Sequence, residues 1–134
     1  MTLRVSELFG VREELNAALL NIGLKNSDKL LAAAATPEGR KELAERLGID
    51  TKQVLELANR ADLARIKGIG QVYSDLLESA GVDTVAELAR RNPENLYNKI
   101  VEMAGEHFVK RLPRPAAVTD WIEQAKNLPR MLQY

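Results

Sequence analysis

The chain repeats a helical pattern once along its length, and this repeat constrains the fold more than any other feature of the sequence. Glycines and apolar residues recur 58 residues apart, as in Gly23 with Gly81 and Leu19 with Leu77. Further pairs at the same spacing are Gly10 with Gly68, Val11 with Ile69, Leu15 with Tyr73, Ile22 with Ala80, Leu24 with Val82 and Leu30 with Leu88. Because turn residues and apolar faces recur together, the sequence predicts two related helical units in tandem.

Two further matches extend the repeat toward the end of each unit. Thr36-Pro37-Glu38 and Asn92-Pro93-Glu94 both have the pattern of a capping residue followed by proline at the first helical position. Later, the apolar positions of 54–61 recur in 118–125, and the extra residues of the second unit fall around 105–111. We therefore predict an all-α fold in which units 1–61 and 62–134 share a core.

Helical periodicity and capping residues predict the helix boundaries of the first unit. Helices are expected over 13–21, 27–35 and 37–47, and from Asp50 to about Ala61. Capping boxes are predicted at two helix starts, with the pairs Asp50 and Gln53, and Thr84 and Glu87.

A Gly-Ile-Gly triplet, Gly68 to Gly70, lies where two helical patterns of the second unit meet. Leu63 and Ile66 predict a short helix before it, and the apolar positions from Tyr73 onward predict another after it. The two glycines permit backbone angles that other residues resist, and they leave the amides at the start of the second helix uncovered. Such amides, together with the helix dipole, favour anions.

These residues resemble the helix-hairpin-helix motif, in which Gly-hydrophobic-Gly is followed four residues later by a small residue, here Ser74. The resemblance implies that the exposed amides hold a nucleic-acid phosphate, often with a bound cation, without reading sequence. The alternative is a tight turn that serves only the architecture. In the first unit, Arg12 replaces the second glycine and Asn16 replaces the small residue, so phosphate binding is less expected there.

A narrower resemblance covers the second unit closely. It is carried by the run from Leu63 to Ile69, by Ala80–Thr84, Asn92–Leu96 and Val109–Pro113, and by Trp121-Ile122. These stretches are similar to the uncharacterised domain-of-unknown-function family numbered four-three-three-two, of helix-hairpin-helix type. The resemblance implies the fold and brings no established activity with it.

The charge balance limits how the chain could bind nucleic acid. With 19 basic and 19 acidic residues the formal net charge is zero, which argues against a strong nonspecific DNA binder. Any affinity has to come from a local patch. The candidate binding residues are Arg65, Lys67, Gly68, Ile69, Gly70 and Gln71 at the hairpin, and Lys110, Arg111 and Arg114 in a basic loop.

Other residues near the hairpin bear on this hypothesis. Arg60 lies on the same approach side and is expected to assist. Phosphate-binding hairpins commonly carry Lys or Arg where this chain has Val72, and Asp75 and Glu78 on the following helix are expected to repel a phosphate backbone. A solvated loop is the alternative interpretation of the basic cluster.

The enzyme hypotheses fail at particular residues. In the DNA glycosylases that this hairpin resembles, the Schiff-base lysine falls at the position of Val72. A dinucleotide-binding loop would need a third glycine where Tyr73 stands. The one histidine, His107, cannot form a multi-histidine metal site, and there is no cysteine for a disulfide or thiolate site. No catalytic residue, cofactor or metal site is predicted.

Two functions stay open from the sequence. One is a non-catalytic module that binds DNA or RNA backbone weakly, and the other is a protein-interaction or scaffolding module. Trp121 and Tyr73 are expected in the core, and residues 128–134 either pack back on the protein or bind a partner. No apolar run approaches the ~18 residues of a membrane span, and the start lacks a secretory signal, so we expect a cytoplasmic protein. The sequence does not indicate an oligomeric state.

Overall fold

The computed structural model describes residues 2–8, 11–106 and 111–134. Within these ranges the chain forms eight α-helices, a short 3-10 helix over Val5–Glu7 and no β-strand, which confirms the all-α prediction. The helices are α1 Glu13–Asn21, α2 Ser27–Ala33, α3 Pro37–Leu47, α4 Thr51–Leu63, α5 Gln71–Ser79, α6 Val85–Ala89, α7 Pro93–Glu106 and α8 Pro115–Lys126.

The predicted capping residues begin four of these helices. Thr36 accepts a hydrogen bond from Gly39 N at 3.0 Å, and Asn92 accepts one from Asn95 N at 3.0 Å. The capping box at α4 is complete, because Asp50 Oδ1 accepts from Gln53 N and Gln53 Oε1 accepts from Asp50 N. At α6 Thr84 accepts from Glu87 N, whereas the Glu87 carboxylate accepts from Arg91, four residues further along the chain. Each cap satisfies amides that a helix start leaves unpaired.

The predicted boundaries need correction at two places. Helix α2 ends at Ala33 rather than at residue 35, and α4 continues to Leu63 rather than ending near residue 61. The separate short helix expected at residues 63–66 does not form. Instead, Arg65 N donates to Asp62 O and Ile66 N donates to Leu63 O, at 3.1 and 3.0 Å. These bonds span three residues, as in the tightened last turn of a helix.

Helix positions follow the spacing of the sequence repeat. Helices α1 and α5 start 58 residues apart and both contain nine residues, and α2 and α6 also start 58 residues apart. In the first half, α1–α4, the helices α2 and α3 pack against α4, and in the second half, α5–α8, the helices α6 and α7 pack against α8. The domain division at residues 61 and 62 stays a prediction.

Buried apolar side chains form two clusters that adjoin at the end of α4. The first cluster comprises Val5, Leu8, Leu19, Leu30, Leu31, Ala34, Leu43, Ala44, Val54, Leu57, Ala58, Ala61, Ala64 and Leu132. The second comprises Leu63, Ile66, Ile69, Leu76, Leu77, Ala80, Val82, Val85, Leu88, Leu96, Ile100, Ala104, Val118, Trp121, Ile122 and Ala125. Leu63 and Ala64 are consecutive residues but belong to different clusters, so the two cores meet there.

The C-terminal segment, residues 128–134, packs back on the protein, which was one of the two possibilities left open by the sequence. Leu128 packs against the second cluster, and Leu132, which is 2% exposed, lies in the first. Gln133 N donates to Ala35 O at 2.8 Å, so the segment also makes a backbone hydrogen bond to the first half.

We expect Leu132→Ala to lower the free energy of unfolding by about 2–4 kcal/mol, because the substitution leaves a cavity in a buried apolar site. Urea titration followed by far-UV circular dichroism measures the change. The control is Gln133→Ala, since this neighbouring side chain is exposed and should matter by less than about 0.5 kcal/mol. Equal stabilities of the two variants would contradict the observed packing.

Candidate nucleic-acid interface

Residues 64–70 connect α4 to α5, and the two glycines at the end of this connection differ in conformation. Gly68 has φ +102°, a left-handed conformation that residues with a Cβ rarely adopt. Gly70, the N-cap of α5, has φ −106° and ψ −158°, which is extended backbone. The expectation that both glycines supply unusual backbone angles is therefore wrong for Gly70, because the bend is made at Gly68.

A close approach to Trp121 also requires glycine at position 68. A Cβ built on Gly68 would lie 2.9 Å from Trp121 Nε1. Trp121 is 3% exposed and belongs to the second cluster, as predicted, and its ring centroid lies 5.4 Å from that of the half-buried Tyr73. The connection is thus packed directly on α8 and on the first turn of α5.

Gln124 fastens the same connection by hydrogen bonds to its backbone. Its Oε1 accepts from Lys67 N at 2.8 Å, and its Nε2 donates to Lys67 O at 3.0 Å. The Nε2 group also donates to Asp120 Oδ2 at 2.9 Å, which orients the amide. Sequence reasoning missed Gln124, since it is 57 residues from Lys67 and no local pattern links them.

The start of α5 presents backbone amides to the surface. The first hydrogen bond of the helix runs from Ser74 N to Gly70 O at 3.0 Å, and the preceding amides of Gln71, Val72 and Tyr73 have no acceptor among the described residues. Gln71 and Val72 are exposed, and a Cβ on Gly70 would meet nothing within 4 Å. Ile69, another candidate binding residue, is by contrast fully buried.

The three cations expected beside the hairpin have different environments. Lys67 is exposed. Arg65 is engaged within the fold, where it donates from Nε and Nη2 to Asp62 Oδ1 at 3.0 and 2.6 Å and from Nη1 to Pro129 O at 2.8 Å. Arg60 is 7% exposed and forms ion pairs with Asp75 and Glu78. Arg60 and Arg65 are therefore paired within the fold, as buried charges need to be, and their contact with a ligand stays a prediction.

The same ion pairs change the expected role of the acidic residues on α5. Asp75 lies 3.4 Å from Arg60, and the Glu78 carboxylate contacts the same guanidinium. Part of their negative charge is therefore balanced within the protein. The predicted repulsion of a phosphate backbone is correspondingly weaker.

The basic loop lies partly beside α5. Tyr73 Oη donates to Arg111 O at 3.4 Å, which places Arg111 next to the first turn of that helix. Arg111 and Arg114 are exposed, and Arg114 is the N-cap residue of α8. Lys110, another candidate binding residue, lies outside the described residues, as does His107. Arg114 precedes Gln124 by ten residues, so the two lie about 15 Å apart along α8.

Within the described ranges there is neither a membrane-spanning helix nor a metal-binding cluster. No helix there combines the length and the apolar character that crossing a membrane requires. No three histidine, cysteine, aspartate or glutamate side chains in the same ranges are grouped to hold a metal ion.

Comparison with protein families shows which family the chain belongs to. Residues 10–128 match the family model described as Domain of unknown function (DUF4332). The chain belongs to this family. No curated protein and no solved structure matches this chain. The resemblance noted in the sequence is confirmed for the DUF4332 family, and membership brings no activity with it.

Burial changes the acidity of one carboxyl group in this DUF4332 protein. Partial burial of Glu78 raises its pKa, and the nearby charges of Asp75, Glu56 and Asp83 act in the same direction, whereas Arg60 lowers it. The net direction is upward from the ordinary value of 4.5. The folded protein therefore favours the protonated form of Glu78 more than the unfolded chain does.

We expect Gly68→Ala to lower the free energy of unfolding by about 1–3 kcal/mol, because it combines a left-handed backbone with the contact to Trp121. Gly70→Ala is the matched control, and it should leave stability unchanged or raise it by up to about 1 kcal/mol. Urea unfolding followed by fluorescence of Trp121, the single tryptophan, gives both values. The same effect of both substitutions would contradict the close packing of Gly68 on Trp121.

Glu78 should also make stability depend on pH. Because its folded pKa lies above 4.5, its contribution is fully present below that pH and is lost as pH rises through the folded pKa. Glu78→Gln stays neutral, so wild-type stability should fall relative to this variant as pH rises above 4.5 and through the folded pKa. Thermal unfolding at several pH values measures the difference, with the exposed Glu123→Gln as control. A difference that stays constant with pH, or that grows in favour of wild type, would contradict the assignment.

Proposed function

We propose that this DUF4332 protein is a non-catalytic helix-hairpin-helix module built from two tandem units. We further propose that the hairpin of the second unit binds nucleic-acid backbone weakly and without sequence specificity. The observation that carries the proposal is the exposed amide edge at the start of α5, beside the exposed Lys67.

Local geometry supports the hairpin. Helices α4 and α5 are joined by a connection in which Gly68 makes the bend, Ile69 is buried in the second cluster, and Ser74 is 5% exposed. The equal spacing of the helix starts and the two apolar clusters support the tandem arrangement. These features agree with the residues by which the sequence resembles the motif.

Electrostatics supports a weak interaction with phosphate. Amides at a helix start point at an anion and the helix dipole favours it, whereas contacts to the backbone carry no sequence information. Among the described residues, Lys67 and Arg111 are exposed cations near the start of α5, and Arg114 is exposed at the start of α8. If one or two phosphates are neutralised, the logarithm of the binding constant should fall with the logarithm of salt concentration with a slope of only ~1 to 2.

A protein-interaction or scaffolding module is the second candidate, and two exposed apolar side chains favour it. Val72 on the first turn of α5 is 55% exposed, and Leu112, which follows Arg111 in the loop beside that turn, is 42% exposed. Apolar side chains at a surface contribute more to contacts with protein than to contacts with phosphate. In this alternative the hairpin is retained as architecture.

We expect labelled single- and double-stranded DNA and RNA to bind at low salt, and we expect Gly70→Glu to weaken binding at least tenfold. The added carboxylate would lie at the amide edge, where a side chain has room. Lys67→Ala should weaken binding uniformly across sequences and lower the salt slope by about 1. Fluorescence anisotropy over a salt series measures these effects.

Ala32→Glu is the control for charge, because it adds the same carboxylate to an exposed position on α2 in the first half. It should leave binding unchanged. Absent binding, or binding that Gly70→Glu does not weaken, excludes the nucleic-acid hypothesis. In that case the interaction module predicts a protein partner that is retained by the wild-type protein and lost with Val72→Ser.

A further inference from the structure

The C-terminal segment, residues 128–134, occupies a groove on the first half of the chain. One apolar side chain and two backbone groups hold it there. The groove lies where the end of α2 and α3 contact the segment, at Ala35 and Arg40, and the buried side chain of Leu132 belongs to the first cluster. The next residue, Gln133, uses both of its backbone groups, because its N–H donates to Ala35 O at 2.8 Å and its carbonyl accepts from Arg40 Nη2 at 2.7 Å. The segment is therefore held by an apolar side chain and by the two backbone hydrogen bonds of the residue that follows it.

Arg40 is the central polar group of this groove. It is 6% exposed, and its Nη1 group donates to Ala34 O at 2.9 Å. The ring of Tyr134 lies over its guanidinium at 5.8 Å. A buried cation is costly unless its donors are paired, so the carbonyl of Gln133 is part of what makes burial of Arg40 tolerable. When the segment is absent, water must take that place.

The same segment also contacts the region where the two halves meet. Pro129 O accepts from Arg65 Nη1, and Arg65 in turn binds the buried Asp62. Asp62 Oδ2 accepts from Val85 N at 2.8 Å, at the start of α6 in the second half. Residues 130–132 and 134 form one wall of a cleft of about 170 Å³ that Asp62 and Arg65 also line. The segment thus spans both halves.

We propose that residues 128–134 form a displaceable clasp, which leaves the Arg40 groove while both halves stay folded. Displacement of the segment would expose the groove, open the 170 Å³ cleft and break the hydrogen bond between Arg65 and Pro129. This proposal is independent of the nucleic-acid hypothesis.

The distribution of contacts supports independent opening. Leu132 is the one buried side chain of the clasp, whereas Met131 and Tyr134 are 37% and 65% exposed. The segment contains no helix, and a few hydrogen bonds attach it to the rest of the protein. All other members of the first cluster come from residues 5–64, so that cluster keeps its own helices when the clasp leaves. Segments with few buried contacts open at lower free energy than the core does.

A peptide that spans residues 128–134 tests whether the groove binds the clasp in trans. Full-length Leu132→Asp cannot seat its own charged side chain in the apolar site, so the isotope-labelled variant should bind the added peptide saturably. Chemical shifts of Ala35 and Arg40 report the binding. Wild-type protein, whose groove is filled, should bind the peptide at least tenfold more weakly, and a peptide carrying Leu132→Asp should bind neither protein. A folded Leu132→Asp variant that does not bind the wild-type peptide overturns the proposal.

Native-state hydrogen exchange of the wild-type protein tests the proposal even if that variant does not fold. The amide of Gln133 should exchange at least tenfold faster than that of Ala58 in α4, through an opening that depends little on denaturant. Arg40→Gln should accelerate exchange at Gln133 and leave Ala125 in α8 unchanged. If Gln133 exchanges only with global unfolding, at the rate and with the denaturant dependence of Ala58, the segment is a fixed part of the core and the proposal is wrong.

Discussion

The backbone of Gly68 packs so closely on the indole of Trp121 that no Cβ fits between them. This contact fixes the end of the connection from α4 against α8, and the hydrogen bonds of Gln124 to both backbone groups of Lys67 hold the residue before it. Ile69 is buried at the next position, and the first amides of α5 that follow it have no acceptor among the described residues. The candidate interface is therefore a consequence of packing in the second cluster.

Charged side chains near this interface serve mainly to join the two halves. Arg60 and Asp62 both lie on α4 but pair with groups of the second half, namely Asp75 and Glu78 on α5 and Val85 N on α6. Charged groups that are removed from water are stable only when they are paired. Arg60 and Asp62 therefore have a structural role. This explains how a chain rich in charged residues leaves few cations at the hairpin, and why the proposed affinity for nucleic acid is weak.

A clasp and a hairpin would give this DUF4332 protein two surfaces of different chemistry. The hairpin offers amides and the cation Lys67, whereas the groove offers an apolar pocket with the buried cation Arg40. Arg65 lies between them, two residues before Lys67 and bonded to Pro129 of the clasp. If the clasp opens, Arg65 loses its hydrogen bond to Pro129 and keeps its bonds to Asp62.

Local sequence determined where helices begin, because capping at Thr36, Asp50, Thr84 and Asn92 depends on residues three positions apart. Periodicity likewise predicted the burial of Trp121, and the repeat predicted the spacing of α1 and α5.

Only the tertiary structure decided which polar groups form hydrogen bonds within the fold. Arg65 bonds to Pro129, Gln124 to Lys67 and Arg40 to Gln133, and each pair is separated by more than fifty residues. No periodic pattern in the chain encodes such pairs, since they depend on which helix faces meet after packing. For the same reason the extended backbone of Gly70 and the seat of Leu132 could not be predicted from the residues around them.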